Sequence, residues 1–271
     1  MKEGTIGMLK LIGVSKTFGI GSNNEKRALD QVDLSLQSGE FVTVIGGNGA
    51  GKSTLFNCIS GMYEIEEGQI LLDDLDVTYH PEYKRSKLIG RVFQDPLKGT
   101  AFDMTIEQNL AIALAKGQPI SLRPGATKKE LAFLRERLAM LDLGLEDRMK
   151  HKVGLLSGGQ RQALTLLMAT LVKPKLLLLD EHTAALDPAI AKKVMVLTRQ
   201  IVAEDKLCTL MITHNMKASL EFGTRTIMMH EGRIIMDLQG EERRQMTVDR
   251  LIEQFEKRSG TELDNDRMLL G

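Results

Sequence analysis

The glycine-rich stretch GGNGAGKST at 46–54 is the part of this sequence most plainly suited to chemistry. Gly46, Gly47, Gly49 and Gly51 surround Asn48 and Ala50, and the run closes on Lys52, Ser53 and Thr54. Glycines permit a tight turn that aims successive backbone N–H groups at phosphate oxygens. Lys52 then sets a point charge on β- and γ-phosphates, and Ser53 offers a hydroxyl to Mg²⁺. The helix that follows adds its N-terminal dipole. Both flanks agree: the β-branched run FVTVIG precedes the loop and helically spaced STLFNCISGM follows it. A nucleotide with Mg²⁺ is the ligand this spacing predicts.

Residues 176–188, LLLLDEHTAALDP, carry a leucine run straight into two acids and a histidine. In proteins that bind nucleotide through such a loop, a second buried strand delivers an aspartate beside the Mg²⁺. Asp180 fits that place and would hold the metal through water. Glu181 would project toward the γ-phosphate and polarise an attacking water, a task worth about 10²–10⁴ in rate. A third stretch, LLSGGQRQ at 155–162, starts the apolar helix RQALTLLMATLV with a Ser-Gly-Gly turn. Free N–H groups and a hydroxyl at that helix start make a second anion site.

The elements that must position these groups follow from periodicity. MLKLIGVSKTFG and LDQVDLSLQSGEF alternate as half-exposed antiparallel strands do. FVTVIG and PKLLLLD read as strands buried on both faces, LCTLMITH as a further strand, and TRTIMMHEGRIIMD as a closing hairpin. GQILLDDLDVT reads as another strand and turn. Between about Asp95 and Ala163 the pattern turns helical, in TIEQNLAIALAKG and KKELAFLRERLAMLDL. PAIAKKVMVLTRQIVAED is helical again. The order predicts an α/β core interrupted by a helical subdomain. In the tail, Thr247 caps a helix with Val248, Leu251, Ile252 and Phe255 on one face and Gly260 as its stop. That stripe packs on the chain's own core or on a partner.

Composition bounds the rest. A chain of 271 residues buries roughly 70–75% of its unfolded surface, enough for one large domain or two small ones. Lys+Arg and Asp+Glu both number 36, so no bulk charge points to nucleic acid as a partner. Cys58 and Cys208 stand in apolar settings, which favours free buried thiols in a reducing cytosol over a single disulfide. The opening MKEGTIGMLKLIGVSK lacks the apolar stretch expected of a signal peptide, and no stretch approaches the roughly 18 apolar residues of a spanning helix. A cytoplasmic location is expected.

With these motifs in order, the chain resembles the ATP-binding subunit of an ATP-binding-cassette (ABC) transporter, over roughly residues 9–240. VFQDP at 92–96 is similar to the family's Q-loop, with Gln94 as its glutamine. LSGGQ at 156–160 is similar to its signature, AALD at 184–187 to its D-loop with Asp187, and MITHN at 211–215 to its switch with His214. Phe18, in VSKTFG, stands where the family stacks an aromatic on adenine. The resemblance implies a P-loop NTPase core (9–94 and 164–240) with an antiparallel β subdomain. A helical signature subdomain would occupy about 95–163 and a helical extension 241–271.

The resemblance also implies a mechanism and partners. The cofactors are ATP and Mg²⁺, the metal being held by Ser53, Asp180 and Gln94. Glu181, His214 and Gln94 take the catalytic roles: Glu181 as base, His214 contacting the γ-phosphate, Gln94 sensing Mg²⁺ and the attacking water. Two anion sites in one chain are reconciled by a head-to-tail homodimer or pseudo-symmetric pair. Ser157, Gly158, Gly159 and Gln160 of one subunit would close over ATP held by Lys52 of the other. Separate integral-membrane permease subunits would dock near Gln94, close to Phe93, Leu97, Phe102 and Met104. An extracytoplasmic solute-binding protein belongs to such a system, with this chain peripheral on the inner membrane face. Importers commonly keep the ATPase as its own chain, which favours uptake of a small solute such as an amino acid. A soluble ABC-type ATPase serving iron–sulfur cluster assembly is the alternative.

Gly47 stands where many members have proline or serine, and Phe18 where tyrosine is commoner. His182 stands where proline is usual. As a base it would duplicate Glu181 and as a phosphate contact His214, so it is expected to shape the turn or to hydrogen-bond across the dimer. Catalysis or pH sensing is the competing role. His80, His151 and His230 are expected at the surface or in loops.

Overall fold

Alternating and continuous apolar runs sort the strands into two sheets. The computed structural model describes residues 8–116 and 126–260. Strands β1 (Leu9–Phe18), β2 (Lys26–Leu36), β4 (Glu67–Leu72) and β5 (Leu75–Asp76) form an antiparallel sheet in the order β2-β1-β4-β5. Every second residue of β2 from Val32 to Leu36 is buried, as a sheet with one wet face requires. The β4–β5 connection turns on Asp73 and Asp74, with φ 50° and 62°, the left-handed pair of a tight hairpin.

A second sheet of six strands runs β10-β9-β3-β8-β7-β6. Its members are β3 (Phe41–Ile45), β6 (Ile89–Val92), β7 (Leu176–Asp180), β8 (Cys208–Ile212), β9 (Arg225–His230) and β10 (Arg233–Gln239). All are parallel except β10, which closes a hairpin with β9. Every residue of β3 and of β8 is buried, because helices and the first sheet cover both faces.

Helix α1 (Lys52–Ser60) leaves the glycine loop. On the helical side, α3 (Ile106–Leu114), α4 (Lys128–Ala139) and α5 (Gly158–Thr170) each begin with a capping box: Thr105 with Gln108, Thr127 with Glu130, Ser157 with Gln160. Leu110, Leu134, Leu138, Leu164 and Leu167 build the core of this side. Leu166 and Ala169 of the same α5 pack instead with Leu177 and Leu179 of the sheet. Helix α5 is thus a wall shared by both cores, and α6 (Pro188–Asp205) lies against it.

Helices α2 (Glu82–Arg85), α7 (Met216–Phe222) and α8 (Gly240–Arg244) and strand β6 were not legible from periodicity, all being short. In β6 the run is also broken by Gly90, where a Cβ would meet the Ala169 carbonyl oxygen at 2.5 Å. The tail helix α9 (Val248–Ser259) packs on its own chain: Leu251 and Phe255 are buried against Met216, Met228, Met236 and Leu238. Thr247 caps it and Gly260, at φ 69°, ends it. Residues 261–271 of the expected extension lie outside the described residues.

His230 corrects one expectation. It is the last residue of β9, half-buried, with its ring edge on Phe255 at 5.4 Å, so packing rather than a loop accounts for it. His80 is half-buried and His151 exposed. Cys58 and Cys208 are buried free thiols whose pKa burial pushes up to about 12.

Candidate nucleotide site

The site forms where three adjacent parallel strands end together. Val44 of β3 and Asp180 of β7 both pair in register with Ile212 of β8, so the three stand in one row. At about 4.8 Å between strands, what leaves the row converges within a few side-chain lengths. The glycine loop leaves β3, Thr213 and His214 leave β8, and Glu181 follows β7. Ligands bind at such carboxyl ends of parallel sheets.

Close backbone contacts explain two of the loop's glycines. At Gly46 (φ 147°) a Cβ would sit 2.2 Å from the Met229 carbonyl oxygen, and at Gly51 (φ 99°) 2.5 Å from that of Ala28. A side chain at Gly47 would meet nothing within 4 Å, so that position has room to vary. Lys52, buried, donates from Nζ to the carbonyls of Gly46 at 2.7 Å and Gly47 at 3.0 Å. Burial lowers its pKa, while Glu181 and Asp180 pull it back up. Ser53, next on α1, is exposed.

Asp180 is partly buried, and desolvation raises its pKa against the opposing charge of Arg91. Glu181 adopts a left-handed backbone (φ 45°) while its N–H still donates to Ile212 O at 3.1 Å. Non-glycine residues in that conformation carry strain and cluster at functional sites. The carboxylate reaches the residues that leave β8, and Oε1 lies 2.5 Å from His214 Nε2.

A cleft of about 270 Å³ opens here, lined by Phe18, Asn48, Gly49, Ala50, Gly51, Lys52, Ser53, Thr54, Glu181 and His214. Lys26 and Ala28 of β2 also line it; no motif in their stretch of sequence had marked them. Phe18 is 37% exposed at the end of β1 and rests on the edge of Tyr63 at 5.3 Å. Gly46, Gly47, Gln94, Asp180, Asp187 and the signature residues do not line this cleft. Gln94 is exposed after β6.

The signature sits apart, at the start of α5. Ser157 Oγ accepts from Gln160 N at 3.3 Å, and Gln160 Oε1 accepts from Ser157 N at 3.2 Å. The box therefore takes up two of the expected free donors. The N–H groups of Gly158 and Gly159 remain first-turn donors that the helix does not satisfy, and the Ser157 hydroxyl keeps its own proton to give. Gly159 is buried with its Cα against α6: a Cβ would fall 2.1 Å from Ile190 Cγ2. Asp187 caps α6 by accepting from Ile190 N at 3.1 Å.

His182 turns inward. It is 2% exposed, and its Nε2 lies 3.1 Å from Thr198 Oγ1 of α6. Thr198 donates its own proton to Val194 O at 2.8 Å, so its oxygen accepts from His182. Burial holds the imidazole's pKa down to about 4, leaving it neutral near pH 7. A residue buried inside its own chain makes no bond across a dimer. His182 is an internal tie between the end of β7 and α6.

Comparison with known proteins agrees with this geometry. The sequence profile of the ABC transporter family matches residues 29–184. A tyrosine transport ATP-binding protein of Clostridioides difficile is 43% identical over 249 residues, covering 92% of this chain and 99% of that protein. The methionine import ATP-binding protein MetN of Corynebacterium efficiens is 35% identical over 82% of this chain and 60% of its own length. Among solved structures, a dimeric ATP-binding cassette in a post-hydrolysis state with ADP and Pi superposes with a TM-score of 0.72. It is 30% identical and covers 86% of this chain and 98% of its own. The ADP conformation of an ATP-binding cassette of an ABC transporter gives 0.75 at 28% identity, covering 93% and 99%. The chain belongs to the ABC transporter family, as an ATP-binding, ATP-hydrolysing subunit.

Proposed function

We propose that this chain is the ATP-driven motor of an importer for an amino acid, working on the inner face of the membrane with separate permease subunits. The observation that carries the solute class is the tyrosine transport relative, matched over 99% of its length. Among the described residues no helix is long and apolar enough to cross a membrane. Leu97, Phe102 and Met104 are exposed, and Leu155, at 78%, joins them through backbone bonds from Gly154 N to Phe102 O and Val153 N to Met104 O. With half-buried Phe93 they are the apolar residues against which a permease would sit.

The donors present suit MgATP. The loop runs through positive φ at Gly46, Gly49 and Gly51, the backbone freedom that lets successive N–H groups turn toward a phosphate. Among the described residues no group of three or more acidic, His or Cys ligands would hold a metal alone. Mg²⁺ does not need one, since it binds through one or two protein oxygens plus phosphate. Ser53, Asp180 and Gln94 would hold it, Asp180 through water. When bound, Mg²⁺ neutralises charge on the phosphates.

The chain's own residues then divide the work. Lys52 holds the β- and γ-phosphates, Phe18 stacks on the base, and Glu181 takes a proton from the attacking water while His214 orients it. Ser157, Gly158, Gly159 and Gln160 of a second copy close the site, with Asp187 at that junction. The pair that results separates when hydrolysis removes the γ-phosphate charge. An extracytoplasmic solute-binding protein would deliver the amino acid to the permease. Affinity capture from membranes tests the assignment: a multi-span permease and ATP-dependent tyrosine uptake are expected. A soluble scaffold partner with no uptake would overturn it.

A further inference from the structure

Arg91 stands on β6, opposite Leu178 of β7, and its guanidinium is held from several sides. Nη1 donates to Ser60 Oγ at 3.1 Å and Nη2 to Asn57 Oδ1 at 2.8 Å, both on α1. The same Nη2 reaches Asp180 Oδ2 at 3.4 Å, and the guanidinium carbon lies 4.6 Å from the centre of the Phe93 ring. Arg91 is only 11% exposed and its Nε is buried without a partner among the described residues. A desolvated cation with one donor unmet is costly unless its charge is answered. Asp180 is the carboxylate that answers it.

The guanidinium's contacts to α1 are shorter than its contact to Asp180, so Asn57, Ser60 and the Phe93 ring hold it beside the carboxylate. The contact is made by Oδ2. We propose that Arg91 is a positioning residue for the Mg²⁺ carboxylate. By holding Oδ2 it fixes the orientation of the carboxylate, and through Asn57 and Ser60 it ties that orientation to the helix carrying Lys52 and Ser53. Outer partners of metal-binding carboxylates act in this way.

The proposal rests on Asp180 holding Mg²⁺, so its test carries both. Binding of a fluorescent ATP analogue to the full chain is titrated against Mg²⁺, with a parallel arm in EDTA. Arg91→Met is expected to raise the Mg²⁺ half-point about tenfold, the low end of the 10–100-fold lost with such partners, and to leave binding in EDTA unchanged. Adding Arg91→Met to Asp180→Asn should shift the half-point no further than Asp180→Asn alone. An unchanged half-point in Arg91→Met overturns the proposal, and so does an equal loss in EDTA, which would mark Arg91 as a tie between β6 and α1 only. If Asp180→Asn itself leaves the half-point in place, the metal role of Asp180 falls and takes the proposal with it. Should Arg91→Met fail to fold, Asn57→Leu removes the anchor of the same nitrogen and carries the same expectation.

Discussion

Glu181 and His214 meet at 2.5 Å across the ends of β7 and β8, although 33 positions separate them in the chain. A carboxylate paired with an imidazole beside a phosphate cradle has the parts of a base and the group that orients its water.

Glu181→Gln keeps the shape and hydrogen-bonding reach of the side chain but removes the base. It should bind MgATP normally, lose about 10²–10⁴ in turnover, and accumulate as a dimer on gel filtration with ATP. A monomeric, fully active variant would contradict the assignment.

The separation of Ser157 from the cleft makes a prediction about subunit exchange. Lys52→Ala and Ser157→Arg should each be nearly inactive alone. Mixed, they form heterodimers with one intact composite site, and ATPase activity should rise above that of either parent. If the mixture gains nothing, Lys52 and Ser157 do not act on the same nucleotide from two copies.

His182 carries a pH dependence whose sign is set by its burial. Its folded pKa, about 4, lies below the 6.5 of a free imidazole, so the unfolded chain takes up the proton first. That stability is complete above about pH 6.5 and is lost as pH falls toward 4, by on the order of 3 kcal/mol. His182→Pro should flatten the fall of melting temperature between those pH values while keeping turnover and its pH profile near neutrality. Parallel melting curves for the variant and the native chain, or a shifted activity profile, would reject a structural role.

Gly159 tests the seam between the signature and α6. Gly159→Ala drives a Cβ into Ile190, an overpacking that costs about 1–3 kcal/mol and displaces the signature turn. Its melting temperature and ATPase rate should both fall, and Ile190→Ala in the same chain should restore the melting temperature. No recovery in the double variant would mean that the clash is relieved elsewhere.

Local chemistry made much of this protein legible in advance. Backbone freedom at glycines, a lysine at the right spacing and an acid closing an apolar strand are short-range facts, so the loop at 46–54 and the strand ending in Asp180 were legible from their neighbours. The caps at Ser157 and Thr247 are equally local. Periodicity worked where runs were long, as in α6, and failed for β6, where Gly90 and Arg91 interrupt four residues. Lys26 and Ala28 were invisible because nothing in their own stretch refers to the loop they face.

Strand order belongs to the tertiary structure alone. That β8 lies between β3 and β7 follows from packing over the whole sheet, and it is what brings His214 onto Glu181. Burial decided His182, since adjacency to Glu181 says nothing about which way a ring turns after a left-handed residue. Arg91 reaches Asp180 only because β6 pairs with β7. Sequence determines which groups are capable of the chemistry; which of them share a site is decided by non-local contacts that no short window contains.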